Sequence, residues 1–225
     1  MTRVEDKYII SNTGAKILAG RLAEIMEPDP MEKDESGYSI SSLYFDDVFD
    51  THLRDTVEGN PMRKKFRIRI YNNSFDTIKL EVKHKIYNRT LKVADIITRE
   101  EMLSLMNGDS VREDSHNPAV TDFNLNILKS SLKPKVIVTY MRKAFIFKPG
   151  NVRITLDSEI RGSKETEMFG VSGLMYDKTE SRIIMEIKYD EFLPDCVSRL
   201  MNTGNMQRTA FSKYRICREM LEKGI

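Results

Sequence analysis

The sequence predicts an α+β protein built on a closed antiparallel β-barrel of about eight strands, with a basic lumen and flanking helices. The first observation is a hairpin between residues 62 and 85, in which charges recur at every second position. The second is that at least seven predicted strands bring charged residues to one face, and so long a sheet usually closes on itself. The third is that amphipathic helices need an apolar sheet surface to cover, which places the charged face inside.

The charged hairpin joins two runs through the polar link at residues 72–74. Its alternating charges are Arg63, Lys65, Arg67 and Arg69 in the first run and Lys79, Glu81, Lys83 and Lys85 in the second. A charged strand face is most often only solvated. Here, however, one sign repeats along a strand and recurs on its neighbour, and like charges opposite one another destabilise a sheet. The pattern therefore predicts an anion against this face.

The remaining elements follow from periodicity, caps and breakers. The predicted order is a strand over 3–10, a helix over 11–26, a strand over 38–47, the hairpin, a strand over 87–97, helices over 98–108 and 124–131, strands over 136–142, 152–157 and 182–189, and helices over 194–201 and 212–223. Residues 49–60 are predicted to be a polar loop. Pro28 and Pro30 end the first helix, and Thr98 with Glu101 forms a capping box for the second.

Length and charge predict one domain over residues 1–225 with a focused anion site. The net charge of the 225 residues is only +2, so a basic surface must be offset by acidic residues elsewhere. This asymmetry favours a small or threaded anion over broad coating of nucleic acid. The two cysteines lack metal-ligand spacing, and neither a signal peptide nor a membrane-spanning apolar run is recognisable, which predicts a soluble, cytoplasmic protein.

Phosphate is the anion that suits this set of side chains, because arginine grips phosphate oxygens with a planar fork and lysine acts as a point charge. Glu186 would repel phosphate unless Mg²⁺ or Mn²⁺ lay between them. The alternative is a structural salt bridge from Glu186 to Arg182 or Lys188. The chain has neither a nucleophile and base constellation nor a phosphate-binding glycine loop, but phosphoryl transfer requires mainly positioning and charge.

Eight motifs occur in an order that resembles a known family. They are RVEDKY, SSLYFDD, RKKFRIRIY, KLEVKHK, YMRKAF, VRITLD, IIMEIKYD followed by LPD, and FSKY, between about residues 3 and 215. This order resembles the VTC domain family of polyphosphate polymerases, within the CYTH-like triphosphate tunnel metalloenzyme superfamily. The resemblance implies a tunnel that holds polyphosphate, ATP as the phosphoryl donor, and Mn²⁺ or Mg²⁺ as a cofactor.

The motifs and the charged strand face together predict the site residues. The predicted catalytic phosphate clamps are Arg67, Arg69, Lys83, Arg142, Arg153, Lys188 and Lys213. The predicted substrate-binding residues are Lys7, Arg3, Lys79, Lys92, Tyr140 and Ser212. Glu186 matches the metal-binding glutamate. One departure is Arg3, which stands where hydrolytic tunnel enzymes carry the first glutamate of an ExExK pattern, and this favours the polymerase branch.

The sequence is therefore compatible with three functions. The first is a metal-dependent polyphosphate polymerase that transfers the γ-phosphoryl group of ATP. The alternatives are a triphosphatase for inorganic or nucleoside triphosphates and a non-catalytic polyphosphate-binding module. The expected ligands are ATP and polyphosphate, or else triphosphate or pyrophosphate. Nucleic acid is not expected as a partner, because aromatic residues do not interleave with the basic positions. The resemblance leaves open a membrane-protein partner that receives the polymer, on the inner face of a membrane complex, and it leaves the oligomeric state open.

Overall fold

The computed structural model describes residues 4–32, 36–87, 89–201 and 206–223. Within it the chain divides into two compact units. The first unit comprises Met1–Ser39, Tyr140–Ile160 and Glu180–Ser212, and the second comprises Ile40–Thr139, Arg161–Thr179 and Lys213–Ile225. The single domain over residues 1–225 stays a prediction.

Eleven strands and six α-helices form in the described residues, which gives an α+β fold. The strands are β1 (Val4–Ile10), β2 (Glu27–Pro28), β3 (Tyr38–Asp46), β4 (Met62–Tyr71), β5 (Ser74–Ile86), β6 (Arg89–Ile97), β7 (Lys133–Phe147), β8 (Val152–Ser163), β9 (Asp177–Glu180), β10 (Ile183–Tyr189) and β11 (Gln207–Arg208). The helices are α1 (Asn12–Ala23), α2 (Thr51–Val57), α3 (Arg99–Asn107), α4 (Pro118–Ser130), α5 (Asp195–Leu200) and α6 (Lys213–Lys223). None of these helices is both long and apolar enough to cross a membrane.

The sheet is antiparallel wherever its register is described. In the first unit the strand order is β11-β1-β10-β8-β7, and in the second unit it is β7-β3-β4-β5-β6. Among the described residues the order ends at β11 and β6 without returning on itself, so the α+β class is confirmed but the closed barrel is not. The residues of β6 are largely exposed, as is usual for an edge strand.

Each unit has an apolar core on one face of its strands. In the first unit, Ile154, Met185 and Ile187 lie under α1 and α5 together with Leu18 and Val197. In the second unit, the alternate residues of β4 that carry no charge are buried beneath α3 and α4. The rings of Phe66 and Phe123 meet edge to face with centroids 5.2 Å apart. The apolar parity predicted for these strands is therefore the core face, and it leaves the charged parity on the opposite face.

Asp46, at the end of β3, organises the second unit from inside. Its carboxylate is fully buried and accepts four hydrogen bonds. The donors are the backbone N–H groups of Asp47, His52 and Leu53, each at 2.9 Å, and the Tyr214 hydroxyl at 2.6 Å. The predicted polar loop over residues 49–60 is thus wrong in part, because the carboxylates of Asp46 and Asp47 satisfy the first N–H groups of α2 and allow a helix to begin there.

We expect Tyr214→Phe to lower the free energy of unfolding by about 1–3 kcal/mol, because it removes one donor from a buried carboxylate. Burial and the neighbouring Asp46 both raise the pKa of Tyr214, so its hydroxyl remains a donor at neutral pH. Urea denaturation followed by circular dichroism measures the change. Tyr87→Phe is the matched control, since Tyr87 is 65% exposed and should shift the midpoint little. Equal midpoints for both variants would contradict the role of Asp46.

Candidate functional site

The charged face of the second unit brings the hairpin cations together in rows across the strands. Arg69 lies opposite Lys79, and Lys65 lies opposite Lys83, which in turn lies opposite Lys92 of β6. Like charges in directly opposed positions destabilise a sheet. Five predicted site residues share this face, namely Arg67, Arg69, Lys79, Lys83 and Lys92. The register thus places them as one cationic surface, which we call the hairpin cluster.

Glu81 is the carboxylate within the hairpin cluster. Its side chain is almost completely buried, and its Oε2 lies 2.6 Å from Arg67 Nε and 3.7 Å from Arg69 Nη1. The Lys92 ammonium contacts the other oxygen. Burial alone would raise the pKa of Glu81, but the charges of Arg67, Arg69 and Lys92 hold it well below its usual range. Glu81 is therefore a permanent counter-ion for three cations.

Two side chains of β3 fix the arginines of the hairpin cluster, and neither was among the predicted site residues. Arg67 Nη1 donates to the Tyr44 hydroxyl at 3.0 Å, and Arg69 Nε donates to Ser42 Oγ at 3.2 Å. Their register partners are the same residues, Tyr44 opposite Arg67 and Ser42 opposite Arg69. Alternation along β3 could have indicated both, because they share a parity opposite to that of the core residue Leu43.

Two more predicted lysines of the second unit are Lys79, which belongs to the hairpin cluster, and Lys213 of α6. The Lys79 ammonium lies over the Tyr71 ring, 5.3 Å from its centroid, where the ring face attracts a cation. Lys213 is the first residue of α6 and is half-buried, one position before the Tyr214 that binds Asp46.

The charged face of the first unit is built on β1, β10 and β8. Across these strands Lys7 lies opposite Glu186 and Glu186 opposite Thr155, while Lys188 lies opposite Arg153. We call this second group, with Glu5, Arg142 and Asp157, the β10 cluster. Arg3 lies outside the described residues.

Ion pairs hold the β10 cluster together. Glu186 is mostly buried, and its Oε1 lies 2.7 Å from the Lys188 ammonium, which is also 3.9 Å from Glu5. Lys7 lies 3.1 Å from Glu5 and also donates to the backbone carbonyl of Phe211 at 3.3 Å. The chain segment before Ser212 is thereby attached to the first strand. Of the two salt bridges considered for Glu186, the one to Lys188 is present.

Both arginines of the β10 cluster have oriented guanidinium groups. Arg142 binds the fully buried Asp157 through two hydrogen bonds of 2.6 and 2.7 Å. Burial would lower the pKa of Arg142, but Asp157 raises it well above its usual value, so the charge is permanent. The buried ring of Tyr140 lies 5.3 Å from the Arg142 guanidinium.

Arg153 is held at its far end by two residues that sequence analysis did not select. Its Nη2 donates to the Tyr38 hydroxyl at 3.1 Å and lies 2.6 Å from Asp29 Oδ2. Asp29 falls in the acidic segment after α1, which showed no periodic pattern, so sequence offered no signal for it.

Comparison with known proteins identifies the family. The VTC domain profile matches residues 2–222. The chain belongs to the VTC domain family. No curated protein sequence matches it. A proposed adenylate cyclase from Bacillus halodurans has a similar structure, with a TM-score of 0.51, 14% identity and coverage of 84% of this chain and 82% of that one. Another, from Vibrio parahaemolyticus, has a TM-score of 0.55, 15% identity and coverage of 96% and 97%. These likenesses concern the fold, and together with the family they are consistent with a triphosphate tunnel protein.

The triphosphate tunnel superfamily generally uses divalent metals. A VTC domain that binds such a metal needs side chains with suitable oxygen ligands. Within the described ranges, no group of three or more histidine, cysteine or acidic residues could hold a metal alone. Mg²⁺, however, is often bound by one or two carboxylates plus substrate phosphates. Glu186 and Glu5 are diagonal neighbours on paired strands, and both already hold the Lys188 ammonium. Their oxygens fit a hard cation that completes its shell with phosphate. Glu5 was not among the predicted site residues, although alternation placed it on the charged face.

We expect the pH dependence of stability of the VTC domain to report on Glu81. Its folded-state pKa lies below the unfolded value of about 4.3, so its stabilising contribution is full above about pH 5 and is lost as the pH falls. Glu81→Gln removes the partner of buried cations and should cost about 3–5 kcal/mol at pH 7. The difference in the free energy of unfolding between Glu81→Gln and the wild type should become smaller as the pH falls from about 5 to about 3.

Urea denaturation at several pH values measures this difference. Glu58→Gln, at an exposed position after α2, is the control and should show no narrowing. A constant difference between Glu81→Gln and the wild type across the same range would show that Glu81 does not act as the counter-ion.

Proposed function

We propose that this VTC domain is a metal-dependent polyphosphate polymerase, which transfers the γ-phosphoryl group of ATP to a polyphosphate chain. The observation that carries the proposal is the opposition of like charges on paired strands in both clusters. Lys65, Lys83 and Lys92 form one row, and Arg153 opposes Lys188 in the other unit. The energetic cost of such rows is repaid when phosphate groups bind them.

The clamps divide into fixed and adjustable groups. Arg67, Arg69, Arg142 and Arg153 are fixed by carboxylates, tyrosines and a serine, so their remaining N–H groups are oriented before substrate binds. Lys83, Lys188 and Lys213 are partly exposed and have flexible stems, so they can follow a phosphate chain as it lengthens. Lys7, Lys79, Lys92, Tyr140 and Ser212 complete the binding residues in this proposal.

Glu186, with Glu5, would hold the metal. Bound Mn²⁺ or Mg²⁺ supplies charge neutralisation at phosphoryl oxygens. Lys188, which contacts Glu186 at 2.7 Å, would be available to pair with phosphate oxygens if a metal took the Glu186 oxygen. Synthesis and breakdown of the polymer pass through the same transition state, so the concentrations of ATP and polyphosphate decide the net direction of phosphoryl transfer.

A binding module is the second candidate function, and the Glu186–Lys188 ion pair favours it. The Lys188 ammonium already neutralises Glu186, so phosphate could bind without a metal. Hydrolysis of a triphosphate would use the same cations and release free phosphate without chain growth. A cytoplasmic setting and a membrane partner that receives the polymer stay predictions, and the oligomeric state stays open.

The test is incubation of the purified protein with γ-labelled ATP and Mn²⁺, with and without a chelator, followed by gel separation of the products. We expect a ladder of labelled polyphosphate that chelator abolishes. Glu186→Gln should abolish metal-dependent turnover but retain polyphosphate binding, and Arg67→Ala should slow turnover about 10²–10³-fold if the arginine acts in the transition state. Glu191→Gln, at an exposed position beyond β10, is the matched control and should behave as the wild type.

Each contrary product assigns another function. Free phosphate without a ladder indicates a triphosphatase. Tight polyphosphate binding in chelator, with neither product, indicates a binding module. Loss of binding in Glu186→Gln with normal turnover of the remainder would overturn the metal-ligand role of Glu186.

A further inference from the structure

Two buried donor groups on β8 lack a hydrogen-bond partner within the described part of the chain. They are Arg153 Nε and Thr155 Oγ1. Thr155 is only 5% exposed, so solvent does not satisfy its hydroxyl. Buried polar groups in folded proteins are nearly always paired, and each exception calls for a physical reason. Arg153 and Thr155 are alternate residues of β8, so the two unpaired groups lie on the same face of one strand.

The two orphaned groups lie in the most charged part of the first unit. Thr155 is opposite Glu186, and Arg153 is opposite Lys188. The neighbouring carboxylates are engaged elsewhere: Glu186 binds Lys188, Asp157 binds Arg142, and Asp29 binds Arg153 Nη2 and the backbone N–H of Met31. Neither Arg153 Nε nor Thr155 Oγ1 therefore has a hydrogen-bond acceptor among the described groups that surround it.

The missing partner has a defined chemistry. Arg153 Nε can only donate, and a hydroxyl can donate, so one acceptor-rich group satisfies both. Lys7, Lys188 and Arg142 lie nearby with carboxylate partners that are already engaged, and an arginine N–H binds a charged acceptor more strongly than a neutral one, so an anionic acceptor suits the position best. A phosphoryl group presents several acceptor oxygens in a tetrahedral arrangement and suits two donors from alternate positions of one strand. Arg153 is already oriented for this, because Tyr38 and Asp29 hold its far end.

We propose that Thr155 is a substrate-binding residue, whose hydroxyl donates together with Arg153 Nε to the oxygens of one phosphoryl group of a bound linear triphosphate. The inference rests on the proposed function only in taking phosphate as the ligand, and it does not require turnover. The hydroxyl is covered by protein atoms in the ligand-free state. Lys188, opposite Arg153 and one-third exposed, is the flexible side chain that moves aside as phosphate enters.

The proposal predicts opposite effects of one substitution on stability and on binding. Thr155→Val preserves the shape of the side chain but removes the hydroxyl. Without ligand, the variant should melt at a higher temperature than the wild type, because an unsatisfied buried group is removed. With ligand, it should bind inorganic triphosphate about tenfold or more weakly, because a hydrogen bond to a charged acceptor is lost. Thr155→Ser retains the hydroxyl and should restore affinity.

Thr139→Val is the matched control, since it removes a hydroxyl that has a partner. Thr139 Oγ1 lies 2.7 Å from Ser41 Oγ. This variant should melt at a lower temperature than the wild type and bind triphosphate with unchanged affinity. The contrast separates a hydroxyl that serves the fold from one that serves the ligand.

Isothermal titration with inorganic triphosphate and with ATP, each with Mg²⁺ and with chelator, measures the affinities, and differential scanning calorimetry measures the melting temperatures. Weakening of both ligands by Thr155→Val supports recognition of a phosphoryl group that they share. Weakening of one ligand alone assigns the contact to the inorganic or to the nucleoside triphosphate. Unchanged affinity, or an equal loss in Thr155→Ser, overturns the proposal.

The same titrations separate this inference from the polymerase. If the wild type binds triphosphate but makes no polymer, the polymerase fails while the role of Thr155 is still decided by Thr155→Val. If the wild type binds neither ligand under either condition, the phosphate ligand itself is wrong and both proposals fail.

Discussion

Cations on paired strands repel one another, and the charged faces of this protein must offset that repulsion. In the hairpin cluster, lysines and arginines oppose one another on β4, β5 and β6, and Glu81 is buried among them. In the β10 cluster, Asp157 and Glu186 have the same role for Arg142 and Lys188. Glu81 neutralises only part of the positive charge around it, whereas each cation of the β10 cluster has a carboxylate partner. The fold can therefore form without a ligand and still favour the binding of a polyanion.

The same contacts distinguish the arginines from the lysines. Guanidinium groups are planar and bind carboxylates and hydroxyls in fixed directions, and Arg67, Arg142 and Arg153 each use part of their donor set in this way. The ammonium groups of Lys79 and Lys188 are on flexible stems, the first over the Tyr71 ring and the second beside Glu186 and Glu5. Under the proposed function, a phosphate group at either cluster would meet both rigid donors and mobile charges. Rigid donors favour a defined geometry, and mobile charges tolerate chains of different length.

Single motifs of this family serve both the fold and the candidate site. In SSLYFDD, Ser42 and Tyr44 orient arginines on the charged face, whereas Asp46 is buried under α2 and binds Tyr214 of the FSKY motif. Tyr44 and Tyr214 also stack, with ring centroids 5.0 Å apart. The charged face and the attachment of α6 therefore depend on the same strand. A substitution in this strand can alter stability and site geometry together, so both must be measured.

Alternation in the sequence determined which side chains of each strand share a face, because a strand has a strict period of two, and the charged residues of β4, β5, β8 and β10 follow it. Periodicity and capping residues also determined most of the helices and strands, and the order of the motifs determined the VTC domain family. The tertiary structure alone decided which residues on a face meet. Register pairs Arg67 with Glu81, and a loop brings Asp29 to Arg153. It also decided that α2 forms and that Thr155 is left without a partner, since both depend on burial and on contacts between distant segments, which no local pattern encodes.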